Sequence, residues 1–189
     1  MKFILILGFI YCFGFNVFAQ DNIGVKFFGL SFHPKSEKPN AFLMPRKLDK
    51  DAYLVINLGG LLSYEKFIYK NRMSIKAIQA LYADCAVKLG GFSHIGIRGR
   101  ILKTEKHSIY GGIGLTFIYR KNWLNLAGYN PTGSLYKGDE NDIWQTIWLW
   151  YGGEFEYKYS FNSQFDLGII FVPGYPDLMN LAAGLHYRF

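Results

Sequence analysis

The stretch Asn180-Leu181-Ala182-Ala183-Gly184-Leu185-His186-Tyr187-Arg188-Phe189 decides how the chain folds. Leu181, Ala183, Leu185, Tyr187 and Phe189 fall on one side of an extended backbone, and Asn180, Ala182, Gly184, His186 and Arg188 on the other. A repeat of two is that of a strand with unlike faces, because successive side chains point to opposite sides of the pleat.

Working backwards, the same alternation recurs. Phe165, Leu167, Ile169 and Phe171 alternate with Asp166, Gly168, Ile170 and Val172. Leu149, Tyr151, Gly153, Phe155, Tyr157 and Tyr159 share a face opposite Trp150, Gly152, Glu154, Glu156 and Lys158. Ile109, Ile113, Leu115, Phe117 and Tyr119 oppose Tyr110, Gly112, Gly114, Thr116 and Arg120, and Ile95, Ile97 and Ile101 oppose His94, Gly96, Arg98 and Arg100. Ile56, Leu58, Leu62 and Tyr64 form a further apolar face. Met73, Ile75 and Ala77 begin another, on which Gln79 lands, so a bulge is an open alternative there. In the first strand, Ile23, Val25 and Phe27 meet Phe28 in a run that calls for a shift of phase before Leu30 and Phe32. That makes eight strands.

Tight turns are expected at Tyr69 to Arg72, Thr104 to His107 and Phe161 to Gln164. Long connections run from Pro34 to Asp51 and from Asn122 to Asp142, with shorter ones at Pro173 to Met179 and Lys88 to Phe92. Short turns at one rim and long loops at the other characterise outer-membrane barrels. The apolar faces run for roughly nine to eleven residues, the length a tilted strand needs to cross hydrocarbon. Aromatic residues gather at strand ends, where one side of a ring is apolar and the other wet. The expected fold is therefore all-β, an eight-stranded antiparallel up-and-down transmembrane β-barrel over residues 20–189. A soluble barrel, oily inside, is the competing reading.

Residues 1–19 read as a secretory signal peptide. Lys2 is followed by an apolar run to Phe18, and Val17 and Ala19 offer the small residues of a cleavage site. A membrane anchor helix is the alternative. Bulky Phe9, Ile10 and Tyr11 before Cys12 exclude a lipid anchor, which leaves Cys85 alone in the mature chain. No Cys/His spacing suits zinc, so neither metal nor cofactor is expected. The net charge of +7 could suit nucleic acid, but an exported chain does not meet it. The basic loop carrying Lys35, Lys38, Arg46, Lys47 and Lys50 instead suits the phosphates of outer-membrane lipids and lipopolysaccharide, or is simply solvated.

The ending Leu185-His186-Tyr187-Arg188-Phe189 resembles the C-terminal signature of Gram-negative outer-membrane β-barrels. The resemblance implies outer-membrane localisation and reading of the last strand by the barrel-assembly machinery. It carries no activity.

Eight strands leave a bore that side chains fill. Glu65, Lys76, Asp84, Arg98, Arg100, Glu154, Glu156, Asp166 and Arg188 are expected to point into it as a salt-bridged plug; a proton or ion path is the alternative. Trp123, Tyr129 and Tyr136, in the loop from Asn122 to Asp142, are candidate binding residues for a sugar or a protein, or else part of a membrane-surface belt. An enzymatic alternative rests on Ser31 with His33, and Ser93 with His94, near the outer rim, with Asp84 or Asp51 to orient the histidine. Barrels of similar size include the lipid A palmitoyltransferase and the lipid A 3-O-deacylase. The deacylase pattern is His-x-Ser, reversed here in Ser31-x-His33.

Overall fold

A computed structural model describes residues 21–189 except Ser36, Thr132, Gly133 and 175–177. The expected signal, 1–19, lies outside the described residues, as does part of the connection from Pro173 to Met179. Eight strands follow in order: β1 Asp21–Phe32, β2 Leu54–Tyr69, β3 Met73–Ala83, β4 Leu89–Lys103, β5 His107–Lys121, β6 Trp144–Ser160, β7 Phe165–Gly174 and β8 Leu178–Arg188. Each pairs antiparallel with its sequence neighbour, and β1 closes on β8 to give a complete barrel. The closing seam aligns Val25 with Leu185 and Gly24 with His186, and Asp21 exchanges two backbone hydrogen bonds with Phe189. A closed sheet leaves no edge, which is what permits strands to cross hydrocarbon.

Short turns at 70–72, 104–106 and 161–164 lie with both ends of the described chain at one rim, the turn rim. The segments 33–53, 84–88 and 122–143 lie at the other, the loop rim, and the first of them contains a short 3-10 helix, Lys38–Leu43.

The barrel is inside-out relative to a water-soluble one. Val25, Phe27, Leu62, Ile97, Ile113, Leu115 and Leu185 are 48–63% exposed on the outer wall. Lys26, Glu65, Lys76, Arg98 and Glu156 are at most 2% exposed in the bore. Greasy outside and charged inside is the arrangement of a transmembrane barrel.

Local departures from simple alternation have identifiable causes. The phase shift expected at Phe27 and Phe28 occurs one residue later, between Phe28 and Leu30, against both neighbouring strands. Gln79 needs no bulge. β3 keeps register through it, and it stays on the outer wall bonded to its neighbours: Ser93 Oγ donates to Gln79 Oε1 (2.7 Å) and Gln79 Nε2 to the Tyr119 hydroxyl (2.7 Å). β6 corrects the sequence reading. Gly114 pairs with Gly152 but Thr116 with Leu149, so Trp150 and Tyr151 both stand opposite Leu115. This bulge reverses the phase of everything before it. Leu149 is inside, while Trp150, expected inside, is 76% exposed on the outer wall with Trp148.

Candidate functional site

Inward positions stack in layers along the axis. Nearest the turn rim is a charged layer centred on Glu156. Its carboxylate meets Lys26 Nζ (2.9 Å) and His186 Nε2 (2.8 Å) through Oε1, and Lys76 Nζ (2.9 Å) and Arg98 Nη1 (2.6 Å) through Oε2. Glu65 receives Arg98 through both oxygens (2.7 and 3.1 Å) and Lys158 (2.8 Å), with Asn22 and Ser74 supplying two more donors. Glu154 completes the set against Lys76 (3.1 Å) and Arg98 (3.5 Å). Four cations (Lys26, Lys76, Arg98, Lys158) face three carboxylates (Glu65, Glu154, Glu156), a balance of +1 with His186 neutral. Charges this deep survive because each is paired and hydrogen-bonded.

Glycines on the facing strands make the room. A Cβ on Gly24 or Gly168 would lie 2.6 or 2.7 Å from the His186 ring, and one on Gly112 would lie 2.6 Å from Arg98 Cβ.

Above this layer the bore turns apolar. Leu61, Ile78, Ala80, Phe92, Ile118, Ile147, Leu149, Ile170, Val172 and Ala182 fill it as one buried cluster. At the loop rim a third layer forms around Arg120. Its guanidinium stacks on Trp123 (4.1 Å) and Tyr136 (3.7 Å) and donates to Gln145 Oε1 (3.1 Å) and the Tyr129 hydroxyl (2.8 Å). Trp123 Nε1 donates to Asp84 Oδ2 (2.9 Å), and Lys88 N to Asp84 Oδ1 (2.7 Å). Burial pushes the Asp84 carboxyl above its ordinary range, against the pull of those bonds, and it pushes the Cys85 thiol up as well. A cavity of about 20 Å³, large enough for one water, is lined by His33, Asn57, Asp84, Arg120 and Trp123 among others.

The long loops close over this layer with a second core, in which Ala41, Met44, Ala52 and Trp123 pack with Val55 of β2 and Cys85 of the β3–β4 connection. Asn40 and Asn130 exchange hydrogen bonds between loops: Asn40 Nδ2 to Asn130 O (3.0 Å) and Asn130 N to Asn40 Oδ1 (2.8 Å).

Of the expected lumen set, Glu65, Lys76, Arg98, Glu154 and Glu156 are brought together. Asp166 and Arg188 form a separate pair (3.2 Å) at the turn rim. Arg100 lies half-buried at that rim, outside the cluster. Asp84 does not join the network, because it sits beyond the end of β3 in the roof. Lys26, Lys158 and His186 belong to the network as well, beyond the expected set. Their inward positions follow from the alternation, with Lys26 between Val25 and Phe27 as its plainest signal.

Trp123 is 1% exposed, so it cannot meet a ligand as a stacking platform; Tyr129 and Tyr136 are half-buried against it and Arg120. Of the basic loop, Lys47 Nζ donates to Ala41 O (2.6 Å), Arg46 to Ala83 O (3.3 Å), and Lys38 faces Asp51 (3.7 Å), while Lys35 and Lys50 project into solvent. Ser31 donates its proton to Asn180 Oδ1 (2.8 Å) and accepts from Asn57 (2.9 Å). Ser93 faces outward and His94 inward, where its Nδ1 lies 2.7 Å from Thr116 Oγ1.

No family model and no curated protein sequence matches the chain. Solved structures do. Neisserial surface protein A is 11% identical with a TM-score of 0.51, over 90% of this chain and 97% of that one. The N-terminal β-barrel domain of Pseudomonas aeruginosa OprF is 13% identical (TM-score 0.48, 91% and 100% covered). The attachment invasion locus protein Ail of Yersinia pestis is 15% identical (TM-score 0.47, 90% and 97% covered). With its closed ring of strands, outward apolar wall and likeness to Neisserial surface protein A, the chain has the fold of the small eight-stranded outer-membrane β-barrels.

Proposed function

We propose that the chain is exported by residues 1–19, is seated in the outer membrane with its loop rim outward, and is a closed barrel presenting a pre-formed loop surface that binds lipopolysaccharide. Its last strand, β8, is the segment offered to the barrel-assembly machinery. The observation that carries this reading is the loop core. Chains of 21 and 22 residues (33–53 and 122–143) are packed on Trp123 and stitched through Asn40 and Asn130 rather than left as tethers. Ordering a loop before binding removes an entropic cost that would otherwise weaken the complex. Exposed Lys35, Lys38 and Lys50 supply charge for phosphate, and Phe42 supplies an apolar contact beside them.

The bore, filled by charged, apolar and stacked layers in series, supports a non-conducting role. The folded chain in a planar bilayer is expected to give no unit conductance steps; discrete steps would refute the closed barrel. Immobilised lipopolysaccharide is expected to capture the folded chain, and K35Q/K38Q/K50Q to lose about tenfold in affinity. Absence of capture, or capture untouched by those changes, removes the binding reading.

A lipid A-modifying activity needs a serine that hands its proton to histidine. Ser31 hands it to Asn180 and Ser93 to Gln79, so this alternative has no supporting geometry. Lipid A from cells with and without the protein is expected to carry the same acyl chains by mass spectrometry.

A further inference from the structure

The turn rim is lopsided in charge. On the side built by β2 to β5 it carries Lys70, Arg72, Arg100, Lys103 and Lys106 against Glu105, a balance of 5 − 1 = +4. Opposite, the β6–β7 turn is the uncharged Phe161-Asn162-Ser163-Gln164, and Arg188 is taken up by Asp166. Among the described residues, none of the five cations on the basic side is held in an ion pair, and four of them are exposed, Arg100 being half-buried. The two hairpins are joined directly, Arg100 N donating to Arg72 O (2.7 Å), so their charges form one sector.

The strands beneath are irregular at the same level. Register slips between Phe67 and Tyr69 in β2 and between Arg100 and Leu102 in β4. Each slip turns two consecutive apolar residues outward: Ile68 with Tyr69, and Ile101 with Leu102. Lys70 holds a left-handed backbone (φ 41°), a conformation that costs a long side chain more than it would cost glycine. The rim thus offers cations without a carboxylate partner, Lys70 resting over the Tyr69 ring (5.5 Å), above a doubled strip of apolar surface at the membrane boundary. Long basic side chains above an apolar wall reach for phosphate while their stems stay in hydrocarbon.

We propose that this sector binds an anionic glycerophospholipid of the facing leaflet, with the headgroup phosphate on Lys70, Arg72, Lys103 and Lys106 and an acyl chain along Ile68, Ile101 and Leu102. The apolar strip is what selects a lipid over a soluble phosphate. The site lies at the rim opposite the loop surface, so it stands or falls independently of lipopolysaccharide binding.

The test uses the full chain folded into phosphatidylcholine vesicles containing spin-labelled phosphatidylglycerol or spin-labelled phosphatidylcholine, with the fraction of label immobilised on the protein measured for each. Each base near a lipid surface contributes about fivefold, so the protein is expected to hold phosphatidylglycerol at least fivefold over phosphatidylcholine, falling as salt rises. K70Q/R72Q/K103Q/K106Q should bring the ratio close to one, and K88Q/K137Q, at exposed positions of the loop rim, should leave it unchanged. No preference in the unaltered chain, a preference that survives the quadruple change, one lost equally in the loop-rim variant, or one displaced by soluble glycerol phosphate would each overturn the proposal. Folding is checked by the shift in electrophoretic mobility on heating. Should the quadruple variant not fold, Lys103→Gln and Lys106→Gln singly, both at exposed positions, must each lower the ratio.

Discussion

The turn half of the bore and its loop half lie within the same eight strands yet are closed by opposite chemistry. In the turn half, long polar and charged side chains from β1 to β4, β6 and β8 meet around three carboxylates, and glycines clear the space they need. In the loop half, branched and aromatic residues interlock without charge and are roofed by a stacked arginine. The first solution is held by electrostatic balance and the second by volume. Each should therefore fail under a change the other tolerates.

The sharpest way to break the comparison is Glu156→Gln, which keeps the shape and removes one charge. The cluster would pass from four cations against three carboxylates to four against two. Leaving buried charge uncompensated costs on the order of 4 kcal/mol. Urea unfolding from vesicles, followed by tryptophan fluorescence, measures it. A loss under about 1 kcal/mol would mean that water screens the cluster and that the turn half is not closed by pairing.

Leu61→Ala asks the matching question of the loop half. It changes no charge and empties volume in the buried cluster that also holds Phe92 and Ile170, a loss of about 3 kcal/mol for a core that cannot collapse. The loss should be the same at low and high salt, whereas that of Glu156→Gln should shrink as salt rises if any ion reaches the bore. A salt-dependent Leu61→Ala would show that the two halves are coupled.

Much of this contrast is legible in the sequence, because a repeat of two sorts residues into faces once strands are recognised. Glu154, Glu156 and Arg98 announce the charged layer, and Lys26 is as plain between Val25 and Phe27. Ser93 and His94, adjacent on a strand, could never have shared a face. What alternation cannot supply is decided by partners distant in sequence. The bulge that sends Trp150 outward exists because β6 has one residue more than β5 at that point. The roof depends on Trp123 reaching Asp84, 39 positions earlier, so a loop tryptophan that suggests a ligand platform is instead buried. Its contacts are long-range, and no local pattern encodes them.

The roof also gives the loop half a pH dependence. Burial raises the Asp84 carboxyl, so the folded chain binds that proton more tightly than the unfolded chain does. The Asp84 contribution is therefore fully present below the ordinary value of 3.8 and is lost as pH rises through the folded value. Each unit of elevation is worth about 1.4 kcal/mol. Glu37, His33 and Arg120 also face the cavity, so the measurement is the difference between the unaltered chain and Asp84→Asn across pH. Losing one acceptor shifts that difference by a constant, whereas losing the titration gives it a slope. A flat difference would mean that the roof opens enough to hydrate the carboxylate.

The smallest effect concerns strain, which also differs between the rims. At the turn rim the left-handed positions fall to Lys70 and Asn71, and asparagine tolerates that region. Beside the roof the same conformation falls to Val87 (φ 60°), whose branched Cβ crowds the carbonyl that follows. Its turn is clamped: Asp84 N donates to Lys88 O (2.7 Å) and Val87 N to Asp84 O (2.9 Å), so the backbone cannot relax away from the clash. Val87 is half exposed, so little packing is lost by replacing it. Val87→Asn is expected to stabilise the chain by about 0.5–1 kcal/mol in the same urea experiment, and to slow hydrogen exchange at the Trp123 indole, which the turn supports through Asp84. A gain in global stability without slower exchange at Trp123 would place the relieved strain in the turn alone and uncouple it from the roof. No gain at all would mean that the valine side chain returns in contacts what its backbone costs.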